Sequence, residues 1–206
     1  MENQEYIKDI LKKGGGIVLL LLGVLAVVYF VANISSKGSD FSQNFTSKYR
    51  EAAIRGREVS NLINSVALDI TEINQLDKSG KTDKALNLIE NVKKDNNAAK
   101  KKANNLSEDL EGLTDVALEN EDVSEAKKNK LKKAVNKELE LIDELVRYTE
   151  RIDKFLKALS VAIVSDDRSD RLTVSENLSA INSKHQEISK LNSELLAMVK
   201  QLKIFD

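Results

Sequence analysis

Residues 82–118, TDKALNLIENVKKDNNAAKKKANNLSEDLEGLTDVAL, carry one narrow stripe of small and apolar side chains. The stripe recurs at alternating steps of four and three residues, with a single asparagine in it: Ala85, Ile89, Val92, Asn96, Ala99, Ala103, Leu106, Leu110, Leu113 and Ala117. A period of 3.5 residues held over many turns is typical of helices that pack as in a coiled coil. The pattern predicts one long helix that needs other helices to bury its stripe.

Three other stretches of the chain carry a comparable stripe. The stripe of the third stretch is the least regular, and we read it through Val135, Leu139, Ile142 and Val146. The fourth stretch returns to strict spacing. Four stripes of similar length are good evidence for mutual packing, because none of these helices could bury its stripe alone.

The predicted helices span about 40–76, 82–118, 124–164 and 171–204. Short polar breaks separate them, and Thr82 and Ser124 are the predicted N-caps of the second and third helices. Because the connections are short, consecutive helices should be antiparallel neighbours. The sequence therefore predicts an elongated, closed, antiparallel up-down-up-down four-helix bundle over residues 35–206.

The composition agrees with an all-α fold. The chain has no proline, and Lys, Glu, Leu and Ala, which are good helix formers, are abundant. The absence of cysteine excludes disulfides and thiol chemistry, and the single histidine leaves little material for a transition-metal site. A net charge of −1 gives no global basic field that would attract nucleic acid.

Residues 17–34 read IVLLLLGVLAVVYFVANI and contain no charged side chain. Eighteen apolar residues are just long enough to cross the hydrocarbon core of a bilayer, about 30 Å thick. A cleaved signal peptide is the alternative. We favour a retained transmembrane helix because the preceding stretch is long and mixed in charge, and no small-x-small pair follows the apolar run.

The orientation of this anchor in the membrane is predicted from the helical domain that follows it in the chain. Lysines flank the apolar run on both sides, so the positive-inside rule hardly discriminates. Long domains that follow an anchor are translocated largely regardless of charge. We therefore expect a single-pass membrane protein with residues 1–16 in the cytoplasm and the helical domain outside it.

Three polar side chains fall on the predicted stripes, namely His185, Asn192 and Asn96. A lone polar residue at such a position usually fixes the register or the oligomeric state of the helices. The alternative is that His185 is a pH sensor, which would gain charge in acid and loosen the bundle.

Four small residues are expected at one level of the rod, where the first two helices would approach closely: Ala52, Gly56, Ala99 and Ala103. Tight helix packing is the simpler interpretation. The alternative is a small internal cavity for a ligand.

Five lysines open the third helix and form a candidate membrane-proximal basic patch: Lys127, Lys128, Lys130, Lys132 and Lys133. An acidic run closes the second helix, so we expect mutual neutralisation, with Asp115 near Lys128 and Glu111 near Lys132. Contact with lipid headgroups is the alternative. Nucleic acid binding is not expected, because no aromatic side chain is interleaved with the lysines.

No motif for catalysis or for a cofactor is present, so the sequence predicts a protein that is not an enzyme and needs no cofactor. We expect a membrane-anchored scaffold, adaptor or subunit that contacts a protein partner or a second copy of itself. The alternative is a sensory module that binds a small molecule and signals through a partner. Its predicted rod is similar to the extracytoplasmic domains of bacterial chemoreceptors, which also have a second membrane span and a cytoplasmic output.

Membrane proteins of the LemA type are similar in layout, with one N-terminal span and a helical domain. Their first helix carries a proline-containing motif, whereas this chain has no proline. The sequence is therefore not assigned to that family.

Overall fold

The structure is a computed structural model that describes residues 39–119, 124–165 and 167–201. These residues form four helices, which we call α1 (Ser39–Lys78), α2 (Thr82–Leu118), α3 (Glu125–Ser165) and α4 (Arg168–Gln201). No strand occurs in the described part of the chain. The prediction of an all-α protein with four long helices is confirmed.

The predicted membrane anchor at 17–34 and the segment before it lie outside the described residues. None of the four described helices combines enough length with enough apolar character to cross a bilayer.

The turn between α1 and α2 is closed by backbone hydrogen bonds. The N–H of Lys81 donates to the carbonyl of Leu76 at 2.9 Å, and that of Gly80 donates to the carbonyl of Asp77 at 2.9 Å. This pair of bonds is the Schellman motif, and Gly80 has the positive φ of 69° that the motif places after the helix end. Lys81 occupies the N-cap position of α2, so the prediction of Thr82 as the cap is wrong by one residue.

The last helix begins at Arg168, three residues earlier than expected. The carboxylate of Asp167 accepts a hydrogen bond from the N–H of Ser169 at 2.9 Å, which satisfies a free donor of the first turn. The same bond lowers the pKa of Asp167, because it stabilises the charged form. The sequence predicts a turn over the whole polar stretch 165–170, whereas its last three residues belong to the helix.

Ion pairs between neighbouring helices show the antiparallel arrangement. Glu58 of α1 binds Lys102 of α2 at 2.7 Å, and Arg55 lies 3.2 Å from Asp109. On the other side of α2, Lys100 binds Glu150 of α3 at 2.7 Å.

One difference from a closed bundle concerns the first and last helices. Each helix packs closely along its neighbour in the chain, α1 on α2, α2 on α3 and α3 on α4. Within the described residues, α1 and α4 approach each other only marginally. The expectation of a fully closed four-helix rod is therefore not met at this seam.

The core is a single cluster that draws on all four helices, and α3 supplies the most. One row of α3 follows the strict four-and-three spacing, with Leu131, Val135, Glu138, Ile142, Leu145, Thr149, Ile152 and Leu156. A second row recurs every seven residues, with Ala134, Leu141, Tyr148, Phe155 and Ala162. Two buried rows let one helix pack against both α2 and α4. Leu139 and Val146, which we had placed on the stripe, are only partly buried.

Candidate functional site

The most unusual side chain of the core is Glu138, in the first half of α3. Its exposed fraction is 0 %, and neither carboxyl oxygen has a hydrogen-bond partner among the described residues. A buried ionised carboxylate without a partner is very unfavourable, so such a group takes up a proton instead. Burial raises the pKa of Glu138 to about 8.

Asn192 of α4 lies at the same level of the rod as Glu138. The ion pair between Lys137 and Glu194, at 2.7 Å, fixes this level, because each partner lies within two residues of one of these two side chains. Asn192 is buried, and its Oδ1 atom lacks a hydrogen-bond partner in the part of the chain that is described. At this level α3 and α4 thus each carry one buried polar group with a hydrogen-bonding atom that has no partner among the described residues.

Small residues of α1 lie near this level. The hydrogen bond between Asn96 and the carbonyl of Thr149 places residue 138 of α3 about level with residue 107 of α2. The ion pairs between α1 and α2 then place Ala52 and Gly56 on either side of that level. Both are buried.

The four small residues do not share one level, in contrast to our expectation. The pairing of Glu58 with Lys102 puts Gly56 beside Ala103. Ala52 and Ala99 lie on opposite sides of that level, nine residues or about 14 Å apart along the rod. The tight turn between α1 and α2 sets this register. All four residues are buried, so they are part of the core.

Asn96 is a buried polar residue with a partner. Its side-chain amide donates a hydrogen bond to the backbone carbonyl of Thr149 at 2.8 Å, while its Oδ1 accepts none from the described residues. This bond joins α2 to α3 at one position along their lengths. That polar residues on the stripes set the register of the helices stays a prediction.

His185 is half-buried on α4 and is engaged in an interaction with its surroundings. Beside it, Lys184 binds Glu144 of α3 at 2.5 Å and also binds Glu187 of its own helix. These hydrogen bonds raise the pKa of Lys184. Ion pairs therefore join α3 to α4 at the level of Glu138 and again at Glu144, further along α3.

The candidate basic patch is more exposed than expected. Lys130, Lys132 and Lys133 are exposed, whereas Lys128 is mostly covered and lies 3.6 Å from Glu125 of its own helix. The expected pairs of Asp115 with Lys128 and of Glu111 with Lys132 do not form within 4 Å. The side chain of Lys127 lies outside the described part.

A group of apolar side chains is exposed at the hairpin between α3 and α4. Val161 and Val164 are 52 % and 70 % exposed and lie one turn apart on the same face of α3. Leu172, in the second turn of α4, is 62 % exposed. We call these three side chains the distal apolar tip, and sequence analysis did not identify it. The sequence signal for this tip is that apolar residues continue along α3 at positions outside the buried stripe.

Nothing in the described residues resembles a metal centre: no three acidic, histidine or cysteine side chains are grouped to hold an ion. Comparison of the chain with protein-family models, with curated proteins and with solved structures finds no match. The function must therefore be argued from the site itself.

Proposed function

We propose that the chain is a non-enzymatic, membrane-anchored scaffold or adaptor that presents the distal apolar tip to a protein partner. The observation that carries this proposal is the exposure of Val161, Val164 and Leu172 at one hairpin. Val161 and Val164 share one face of α3, and adjacent exposed apolar side chains commonly mark sites of protein–protein contact.

The position of the tip supports the same proposal. Four residues separate the predicted anchor at 17–34 from the start of α1, so with that anchor α1 would lead away from the bilayer. The turn after α1 and the hairpin between α3 and α4 then lie at the far end of the rod. An interaction surface at that end would reach a partner beyond the membrane surface, while the anchor holds the other end in place.

Site-specific photocrosslinking in intact membranes tests the proposal. A photoreactive amino acid at position 164 should form a crosslink of defined size with one protein. The same group at position 101, an exposed lysine on the middle of α2, should not.

A double variant, Val161→Asp with Val164→Asp, serves as the matched control for the tip. Because both side chains are exposed, the free energy of unfolding should change by less than about 1 kcal/mol. The crosslink from a probe at position 172 should nevertheless disappear in this variant. Equal crosslinking from positions 164 and 101, or a crosslink that survives the double substitution, would contradict the proposed contact.

A further inference from the structure

We propose that Glu138 is a proton-controlled latch between α3 and α4, which is closed when its carboxyl group is protonated and weakens when that group ionises. The proposal rests on three observations. Glu138 is fully buried, neither of its oxygens has a partner among the described residues, and Asn192, at the same level of α4, is buried with an acceptor atom that has none there either.

The two protonation states of Glu138 differ in what they offer to α4. A protonated carboxyl group is uncharged and carries an O–H donor, for which the Oδ1 atom of Asn192 is an available acceptor. An ionised carboxylate has no donor and needs compensation for its lost hydration. The neutral form therefore fits the closed interface, whereas the charged form favours the entry of water between the helices.

Neighbouring charges on α3 and α4 are engaged with one another. Lys137 binds Glu194 of α4 at 2.7 Å and Glu140 of its own helix at 3.0 Å. Lys190 of α4 is largely exposed and lies 4.0 Å from Glu194. Within the described residues, no cation of these two helices is hydrogen-bonded to Glu138.

Near this level, Asp109 of α2 and Arg55 of α1 lie 3.2 Å apart. Asp109 also feels the charges of Glu51, Glu108 and Lys48 on these two helices. Burial raises the pKa of Asp109, and Arg55 opposes that shift. Asp109 could therefore add pH dependence of the same sign. A test of the latch must for that reason compare the protein with variants of Glu138 itself.

The helix that the latch releases is α4. It packs closely against α3 only, whereas α2 and α3 each have two close neighbours. An element held at a single interface separates at lower cost than one held at two. Loss of the latch should thus loosen α4 before it affects the rest of the bundle.

The sign of the pH dependence follows from the direction of the pKa shift. The pKa of Glu138 rises from 4.5 to about 8 on folding. Between these values, the folded protein holds a proton that the unfolded chain has released, so its stability decreases as the pH rises. The folding equilibrium constant should fall by up to about tenfold per pH unit in this window and level off above it. The alternative sensor, His185, would give the opposite sign, because it would loosen the bundle in acid.

Urea unfolding of the full chain in detergent micelles at pH 5, 6.5 and 8 tests the sign. The ratio of the folding constants of Glu138→Gln and the wild-type protein should rise by at least tenfold from pH 5 to pH 8. Glu111→Gln, at an exposed position of α2, is the control and should show a constant ratio. Glu138→Leu should reproduce the trend of Glu138→Gln, because it also removes the charge. A ratio that does not change with pH in either Glu138 variant overturns the proposal.

The location of the opening needs a distance measurement. The chain has no cysteine, so Asn104→Cys on α2 and Ser193→Cys on α4, both exposed positions, allow two spin labels to be attached. In the wild-type background, the distance distribution should be narrow at pH 5 and broader or longer at pH 8.5. In the Glu138→Gln background, it should stay narrow at both values. An unchanged wild-type distribution, or equal broadening in both backgrounds, overturns the assignment of the latch to α4.

Discussion

At the scale of single residues, the core distinguishes a polar side chain with a partner from one without. The amide of Asn96 is bonded to the carbonyl of Thr149, whereas Glu138 has no partner among the described residues. A hydrogen bond across a helix interface adds about 1 kcal/mol net to the free energy of unfolding. A buried polar group without a partner lowers that free energy by about 1–3 kcal/mol. Equal burial therefore does not mean an equal contribution to stability.

Replacement of Asn96 should separate the contribution of its hydrogen bond from that of the volume that its side chain fills. Asn96→Ala removes the bond to α3 and leaves a space, so we expect a loss of about 2–3 kcal/mol in the free energy of unfolding. Asn96→Leu likewise removes the bond and the unpartnered Oδ1 but fills the space, so its loss should be below about 1 kcal/mol. Urea unfolding of the two variants measures the difference. Equal losses would mean that the hydrogen bond, and not the filled volume, decides the stability at this position.

The sequence predicts some of these residues better than others, for a physical reason. Asn96 and Asn192 fall on regular stripes, so their burial follows from spacing alone. Glu138 was missed because a glutamate is rarely buried without a partner, and the neighbouring Leu139 was the more natural choice. The strict spacing of α3 is restored only when Glu138 is accepted as a member of the stripe. Its protonation state depends on burial, which spacing alone does not give.

At the scale of helices, glycine has opposite effects on stability at a helix end and in a helix interior. Gly80 ends α1 with a positive φ of 69°, which an L side chain adopts only with strain. Gly112 lies inside α2, and a Cβ atom added there meets nothing within 4 Å. Neither position is crowded, so backbone conformation alone should decide the effect of a substitution.

Gly80→Ala and Gly112→Ala should therefore change stability in opposite directions. We expect Gly80→Ala to lower the free energy of unfolding by about 1 kcal/mol, because alanine disfavours the left-handed conformation. Gly112→Ala should raise it by about 0.5–1 kcal/mol, the difference in helix propensity. The two variants are each other's control in the same urea titration. A loss of stability in Gly112→Ala would indicate that its surface is covered by a contact outside the described residues.

At the scale of the whole molecule, four matched stripes predict four helices, but they do not predict how the helices close into a bundle. The distance between α1 and α4 depends on the angle between the two buried rows of α3. That angle determines where α4 lies relative to α1. The second row became visible only in the structure, as Ala134, Leu141, Tyr148, Phe155 and Ala162. One regular stripe on each helix would be compatible with a closed or an open arrangement, and the observed contacts favour the open one.

The length of the rod leads to a prediction about the membrane. Helix α1 has 40 residues and is about 60 Å long, so its two ends lie at very different heights if the anchor at 17–34 spans the bilayer. A donor fluorophore at Glu125→Cys, near the proximal end, should transfer energy strongly to an acceptor dye in the lipid headgroups. The same donor at Lys81→Cys, in the distal turn, should transfer weakly. Both positions are exposed and the chain contains no other cysteine, so one labelling protocol serves both.

Equal and strong transfer from the two sites would mean that the rod lies flat on the membrane. Equal and weak transfer would mean that neither end is held there, which would contradict the predicted anchor.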